Sequence, residues 1–201
     1  ESLRRGMQLL AEDLRKNRIT MCDESAFEIG RNIAVTPGEV VFENELIQLI
    51  QYRAQTAEVF ARPLVMVPPC INKYYILDLQ AENSLVRHAV ENGHTVFMVS
   101  WRNVPPELGC ITWDQYLELG VMRALAVARE ISGADQVNTL GFCVGGTLLA
   151  AALAVLHAKG ERPAASATLL TTMLDFSDTG ELAVFVDEEY VAQRESQYAG
   201  G

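Results

Sequence analysis

The sequence is poor in the residues that build metal sites and disulfide frameworks. It contains three histidines and four cysteines, and no two cysteines have the spacing of a Cys-x-x-Cys motif. A zinc site needs a full set of such ligands close together, and a disulfide framework needs cysteines in pairs. The composition therefore predicts reduced thiols in the cytosol, no metal site and no cofactor.

Positive charge and long apolar runs are also scarce. The chain has 16 Lys and Arg against 26 Asp and Glu, a formal net charge of −10 at pH 7. Such a surface repels nucleic acid and anionic lipid, so we expect neither as a partner. The most apolar run, residues 147–158, is shorter than the roughly 20 residues of a membrane-spanning helix and predicts a buried helix. The first residues do not resemble a secretion signal.

What the sequence does have is the pattern of a packed α/β domain. Hydrophobic residues make up 49% of its 201 positions, enough for one domain with a core. Continuous apolar strands alternate with helices, which predicts a right-handed, doubly wound, mainly parallel sheet. The strand segments are residues 63–68, 94–101, 136–142 and 165–176, and the helical segments between them are 82–93 and 112–133.

The segment ahead of this core has a different pattern. An apolar stripe predicts an amphipathic helix over residues 2–16, which we expect to pack on another element. After it, β-branched runs surround Pro37-Gly38, a pair typical of type II turns, and predict two or three antiparallel leading strands. The stripe consists of Leu3, Met7, Leu10 and Leu14.

A cysteine occupies the turn between the third strand segment and the apolar helix after it. Gly141 to Gly145 read Gly-x-Cys-x-Gly, the nucleophile elbow of α/β-hydrolases with Cys143 replacing the usual serine. The two glycines allow strand and helix to approach, and the start of the helix favours the thiolate. The N–H of Val144 is then one oxyanion donor. The second is expected on the loop after residues 63–68, from Cys70, Ile71 or Asn72.

The partners that such a nucleophile needs are missing from the expected positions. In α/β-hydrolases the acid and then the histidine follow the nucleophile along the chain. His157, the only later histidine, lies inside the elbow helix and cannot reach Cys143. His88 and His94 belong to a helix and a strand start and are interpreted as structural. Asp175 is interpreted as a cap or turn residue.

Four segments together resemble one known family, the polyhydroxyalkanoate synthases. They are "PPCINKYYILDL", "GHTVFMVSWRN", "LGFCVGGT" and "TLLTTMLDFSDTG". They are most similar to class I, which polymerises short 3-hydroxyacyl units. The resemblance implies an α/β-hydrolase fold, a polyester chain held on Cys143 as a thioester, and oxyanion amides at Ile71 and Val144. It also implies (R)-3-hydroxyacyl coenzyme A as the substrate, with the catalytic Asp and His farther along the chain.

The same resemblance implies a homodimer that works in the cytoplasm at the surface of polyester granules. On this basis the chain divides into a leading helix with antiparallel strands, the hydrolase core with its elbow, and the start of a cap. These parts are residues 1–61, 62–178 and 179–201. Because the catalytic Asp and His are absent, we expect residues 1–201 alone to be inactive.

Several residues near the predicted active edge have two interpretations. Tyr74 and Tyr75, with Cys70 and Asn72, are candidates for the acyl pocket, although aromatic residues after a strand also serve in packing. Lys73 and Arg102 either contact coenzyme A phosphates or are solvated charges, and Asp78 is a candidate anchor for the Ile71 loop.

Two alternative functions stay open at this point. One is a cysteine-dependent acyl hydrolase of the dienelactone hydrolase kind, which shares the elbow but releases free acid. The other is a truncated domain without catalysis that binds a partner.

Overall fold

A six-stranded sheet forms the centre of the computed structural model, which describes residues 1–198. Its strand order is β1-β2-β6-β3-β7-β8, and a separate two-stranded ribbon pairs β4 with β5. β1, β2 and β6 pair antiparallel, whereas β6, β3, β7 and β8 run parallel. The mainly parallel sheet with antiparallel leading strands is therefore confirmed. The strands are β1 Gly38–Glu43, β2 Ile47–Tyr52, β3 Leu64–Val67, β4 Asp78–Gln80, β5 Asn83–Ser84, β6 Val96–Trp101, β7 Val137–Phe142 and β8 Ala164–Leu170.

Helices follow the strands on both faces of the sheet. The predicted helix over 112–133 contains a π-helical segment, Tyr116–Met122, between α3 and α4. In residues 1–198 we find no helix long and apolar enough to cross a membrane. The α-helices are α1 Ser2–Lys16, α2 Leu85–Glu91, α3 Trp113–Gln115, α4 Arg123–Ser132, α5 Val144–Ala158 and α6 Glu188–Tyr198, with 3₁₀ turns at Glu24–Ala26, Tyr74–Leu77, Pro106–Leu108 and Gly180–Phe185.

The ends of the long helical segment are set by local chemistry. Thr112 accepts the N–H of Gln115 while the Gln115 side chain accepts the N–H of Thr112, a capping box that starts α3. Gly133 ends α4 with φ at 67°, a left-handed conformation that glycine adopts without strain. The two ends agree with the bounds 112–133 that were predicted from the sequence.

Two hydrophobic cores cover the two faces of the sheet. Successive residues of a strand point to opposite faces, so Phe97 and Val99 pack in the core under α4 and α5, while Met98 packs in the core under α2. Strands buried on both faces explain the continuous apolar runs. The active edge is therefore carried by strands that are buried on both faces.

The type II turn predicted at Pro37-Gly38 is wrong. Gly38 begins β1 and pairs with Tyr52 in the ladder, and a Cβ at this glycine would lie 3.0 Å from the carbonyl oxygen of Gln51. The turn between β1 and β2 is instead made by Asn44. Its side-chain oxygen accepts the N–H groups of Leu46 and Ile47, both at 2.9 Å. Glycine is therefore needed at position 38 because β2 passes close to it.

The last predicted strand is shorter than residues 165–176. β8 ends at Leu170 because Thr171 adopts φ of 46°, which turns the chain out of the sheet. Residues 171–173 then pass over the start of α5. β8 pairs with β7 alone among the described residues.

The two terminal segments lie on the outside of the described structure. α1 has the predicted amphipathic stripe, but none of its residues is buried, so the expected packing partner is not found within residues 1–198. α6 follows Asp187 near the other end. The interpretation of residues 179–201 as the start of a cap stays a prediction, and residues 199–201 lie outside the described residues.

Candidate active site

Cys143 lies at the junction of β7 and α5, in a conformation that few non-glycine residues adopt. Its φ is 55° and its ψ is −127°, and its side chain is partly buried. Its N–H donates to the carbonyl of Leu170 at 2.9 Å, and its carbonyl accepts the N–H of Gly146 at 2.9 Å. Backbone strain of this kind costs on the order of 1–3 kcal/mol and persists where the surroundings enforce it. The turn therefore holds the thiol at the carboxyl edge of the sheet.

Two glycines of the motif allow backbone segments to touch around this turn. A Cβ on Gly141 would lie 2.4 Å from the Cα of Gly146. A Cβ on Gly145 would lie 2.2 Å from the carbonyl oxygen of Val67 and 2.5 Å from that of Pro68. Neither contact leaves room for a side chain, because the obstructing atoms belong to the backbone. β3, β7 and α5 are thereby locked together beside Cys143.

A third glycine was not singled out from the sequence. A Cβ on Gly146 would lie 2.0 Å from the hydroxyl oxygen of Thr172, which crosses the start of α5. Next to it, the hydroxyl of Thr147 donates to the carbonyl of Met173 at 2.8 Å. The doubled glycine after Cys143 was the available signal, but its partner comes from a distant part of the chain.

The first turn of α5 presents backbone donors close to the thiol. The first N–H groups of a helix have no partner within it. Gly146 donates to the carbonyl of Cys143, whereas Val144 and Gly145 donate to no backbone carbonyl in the described residues. The amide of Val144 is therefore available to stabilise an oxyanion on a substrate bound to the thiol.

The loop after β3 offers a second donor. The N–H of Asn72 is occupied, since it donates to the carbonyl of Pro69 at 3.2 Å. The N–H of Ile71 donates to no group in residues 1–198, and its side chain is 79% exposed. Of the three candidates from the sequence, Asn72 is thus the least suitable. Trp101 anchors the start of this loop, because its indole N–H donates to the carbonyl of Pro68 at 2.8 Å.

Cys70 lies on the same loop but is less accessible than its neighbour Ile71. It packs against the core under α5, as does Val144. Burial raises the pKa of the Cys70 thiol, with a smaller opposing effect from its own backbone N–H. The uncharged thiol is therefore favoured at neutral pH, which suits a wall of a pocket better than a nucleophile.

The two tyrosines of the loop occupy a 3₁₀ turn. The rings of Tyr74 and Tyr75 meet edge to face with centroids 5.4 Å apart, and Tyr74 packs against the core under α2. Burial, and then the neighbouring Asp78, raise the pKa of Tyr74. These contacts support a packing role for Tyr74.

Asp78 fastens the end of this loop to two other segments. Its carboxylate accepts the hydroxyls of Thr36 and Ser84, each at 2.6 Å, and its carbonyl accepts the N–H of Ala34 at 3.0 Å. The residue is 1% exposed. Ser84 in turn caps α2 by accepting the N–H of Arg87. The leading segment, the loop and α2 therefore meet at one buried carboxylate.

The described residues place no histidine near Cys143. His157 lies fourteen residues farther along α5, about 21 Å along the helix axis. His94 precedes β6 and His88 lies in α2, so His94 is at the opposite edge of the sheet. Asp175 accepts the N–H of Ser177 at 2.9 Å, and this bond lowers the pKa of the carboxyl. Asp175 is therefore a turn residue.

Comparison with known families agrees with the fold. Residues 63–201, more than half of the chain, match the model of the alpha/beta hydrolase fold. The chain belongs to the α/β-hydrolase family. Among solved structures, the chain superposes on an esterase of the bacterial hormone-sensitive lipase family with a TM-score of 0.53 and 20% identity, over 88% of this chain and 59% of the esterase. It also superposes on an esterase from Rhizomucor miehei with a TM-score of 0.52 and 17% identity, over 84% of this chain and 53% of the esterase.

Comparison of sequences points to a narrower group of proteins than the fold does. Residues 1–89 match the model of the poly-beta-hydroxybutyrate polymerase (PhaC) N-terminus. The chain is 64% identical to the poly(3-hydroxyalkanoate) polymerase subunit PhaC of Cupriavidus necator, over 100% of this chain and 34% of the relative. It is 44% identical to the poly(3-hydroxyalkanoate) polymerase subunit PhaC of Rhizobium meliloti, over 97% of this chain and 33% of that relative. The resemblance to the polyhydroxyalkanoate synthases is thus confirmed, and the chain spans about a third of the length of these relatives.

Proposed function

We propose that this chain provides the nucleophile of a polyester synthase, which transfers (R)-3-hydroxyacyl groups from coenzyme A thioesters to a growing polyhydroxyalkanoate chain. One observation carries the proposal: Cys143 occupies the strained junction of β7 and α5 in a chain that resembles these polymerases throughout. Class I, with short acyl units, is the substrate range that the resemblance implies. Coenzyme A is then part of the substrate, and no resident cofactor is required.

In the loading step, the sulfur of Cys143 attacks the thioester carbonyl. The C–S bond to coenzyme A breaks, and coenzyme A leaves as its thiol after taking up the proton from Cys143. The amides of Val144 and Ile71 stabilise the oxyanion between these two events. One thioester replaces another, so the acyl group stays activated at little cost in free energy.

In the elongation step, a 3-hydroxyl group attacks the acyl thioester and forms an ester while the Cys143 thiol is released. A general base must deprotonate first the thiol and then the hydroxyl. The three histidines of the chain lie away from Cys143, so we infer that the base comes from elsewhere and that residues 1–201 alone load little acyl group. By the family resemblance we also expect a homodimer in the cytoplasm at the surface of polyester granules.

The test is intact-mass spectrometry of the full-length protein after brief incubation with (R)-3-hydroxybutyryl coenzyme A, with the Cys143→Ala variant in parallel. We expect hydroxybutyryl adducts that are lost in Cys143→Ala and retained in a matched Cys110→Ala control, because Cys110 is an exposed thiol away from the elbow. Coenzyme A release should accompany polymer.

Other outcomes would favour the alternatives. Release of free 3-hydroxybutyrate without polymer would indicate a cysteine-dependent hydrolase. Adducts that persist in Cys143→Ala would remove Cys143 from the mechanism, and no adduct on the full-length protein would favour a binding role.

A further inference from the structure

Two cations lie at the edge of the sheet that carries Cys143. Lys73 follows β3 on the loop of Ile71, and Arg102 directly follows β6. β3 pairs in parallel with both β6 and β7, so the carboxyl ends of all three strands lie at one edge. With a strand spacing of about 4.8 Å, the end of β6 lies on the order of 10 Å from the end of β7. Both cations are thus near the thiol without touching it.

The charges of these two residues are not neutralised by carboxylates. The Lys73 ammonium donates to the side-chain oxygen of Asn103, and the Arg102 guanidinium donates to the backbone carbonyl of Glu45 at 3.4 Å. Both acceptors are neutral. Neither cation belongs to an ion pair within residues 1–198.

This arrangement is unusual for a chain with a net charge of −10. An acidic surface disfavours an anionic substrate at long range. A pair of cations without carboxylate partners at the active edge opposes this repulsion locally. The bond from Lys73 to Asn103 joins the loop after β3 to the end of β6, so it also holds the ammonium at this edge.

Building on the proposed function, we propose that Lys73 and Arg102 bind the phosphate groups of the coenzyme A thioester. In that substrate the pantetheine arm separates the phosphates from the reacting carbonyl. A phosphate site must therefore share the edge with Cys143 but lie apart from it, as these two residues do. Lysine supplies a point charge and arginine a planar pair of donors, both suited to phosphate. Asn103 acts as a positioning residue for Lys73.

Both side chains are exposed, so each contributes a small part of the affinity. Exposed ion pairs change an equilibrium by up to about fivefold each. We expect Lys73→Gln and Arg102→Gln each to raise KM for the coenzyme A substrate about three- to fivefold, and the double variant about tenfold or more. The difference from wild type should shrink at high salt, because the contacts are screened.

The decisive experiment uses the full-length protein and two substrates with one acyl group: (R)-3-hydroxybutyryl coenzyme A, and the N-acetylcysteamine thioester of the same acid, which has no phosphates. In Lys73→Gln, KM should rise for the first substrate and stay unchanged for the second, with kcat unchanged for both. Lys73→Arg should restore KM. Lys159→Gln is the control, since Lys159 is an exposed lysine at the far end of α5.

Two results would overturn the phosphate site. One is an unchanged KM for the coenzyme A substrate in the double variant, and the other is an equal rise for both substrates. Calorimetric titration with free coenzyme A decides the question without turnover: the Kd should rise in Lys73→Gln and not in Lys159→Gln, and an equal Kd in both would contradict the proposal. A protein that binds coenzyme A through Lys73 but turns over neither thioester would contradict the synthase function and leave the phosphate site supported.

Discussion

Replacing Gly145 with alanine should destabilise the junction of β3, β7 and α5. The added Cβ would lie 2.2 Å from the carbonyl oxygen of Val67, and 2.5 Å and 2.6 Å from the carbonyl oxygen and carbon of Pro68. None of these atoms can rotate away, and Trp101 also holds the carbonyl of Pro68. Over-packing lowers the free energy of unfolding by about 1–3 kcal/mol. We expect a value at the upper end for Gly145→Ala, because all three close contacts are with backbone atoms. Replacing a helical glycine with alanine by itself raises the free energy of unfolding by about 0.5–1 kcal/mol. The net loss is therefore about 2 kcal/mol.

Thermal unfolding followed by circular dichroism measures this loss in the full-length protein. A loss of about 2 kcal/mol corresponds to a Tm lower by about 4–8 °C for a domain of 150–250 residues, and the shift is smaller in a larger cooperative unit because its unfolding entropy is larger. Acyl loading of Cys143 should slow at least about tenfold, because misplacing a reacting group by 1 Å costs about a hundredfold in rate. The control is Gly6→Ala in α1, where a Cβ would meet nothing within 4 Å. A Gly145→Ala protein with wild-type Tm and loading rate would refute the close approach as the reason for this glycine.

Three further substitutions or treatments test the surroundings of the thiol. Trp101→Phe removes the hydrogen bond to Pro68 and should lower the free energy of unfolding by about 1 kcal/mol, measured by urea titration; an unchanged midpoint would mean that the bond contributes nothing. Asp78→Ala leaves the buried hydroxyl of Thr36 and the partly buried hydroxyl of Ser84 without their acceptor and should cost about 2–3 kcal/mol in the same titration; a loss below about 0.5 kcal/mol would contradict this. Because burial raises the pKa of the Cys70 thiol, its alkylation by iodoacetamide should be slow at pH 7 and should become faster as the pH is raised, since only the thiolate reacts. Peptide mass spectrometry would measure it, and a rate at pH 7 equal to that of exposed Cys22 would argue against the effect.

The features that were predictable from the sequence depend on neighbours along the chain. The elbow is bracketed by Gly141 and Gly145 between an apolar strand and a helix, and the capping box uses Thr112 and Gln115, three residues apart. In such cases the residues that make the contact are also the residues that form the pattern.

The features that were missed depend on contacts between distant parts of the chain. The pair Pro37-Gly38 has the composition of a turn, but Gly38 is required by the neighbouring strand, because a Cβ would lie 3.0 Å from the carbonyl oxygen of Gln51. The packing of Gly146 on Thr172 joins segments that no local pattern connects. The general base was predicted only through the family resemblance, which places it farther along the chain, because none of the three histidines lies where the family order would place one.

The π-helical segment between α3 and α4 makes the length of this helix matter for the nucleophile. Within it, Gly120 lies where a Cβ would be 2.5 Å from the indole ring of Trp101, the residue that supports Pro68. A π turn accommodates one residue more than an α turn, so deleting one residue from the segment would restore ordinary α-helical bonding. The same deletion would remove the bulge that places Gly120 against the indole, while the flanking turns keep their register because the π turn had absorbed the extra residue. Natural or engineered deletions in Tyr116–Met122 should therefore preserve helix content while slowing acyl loading.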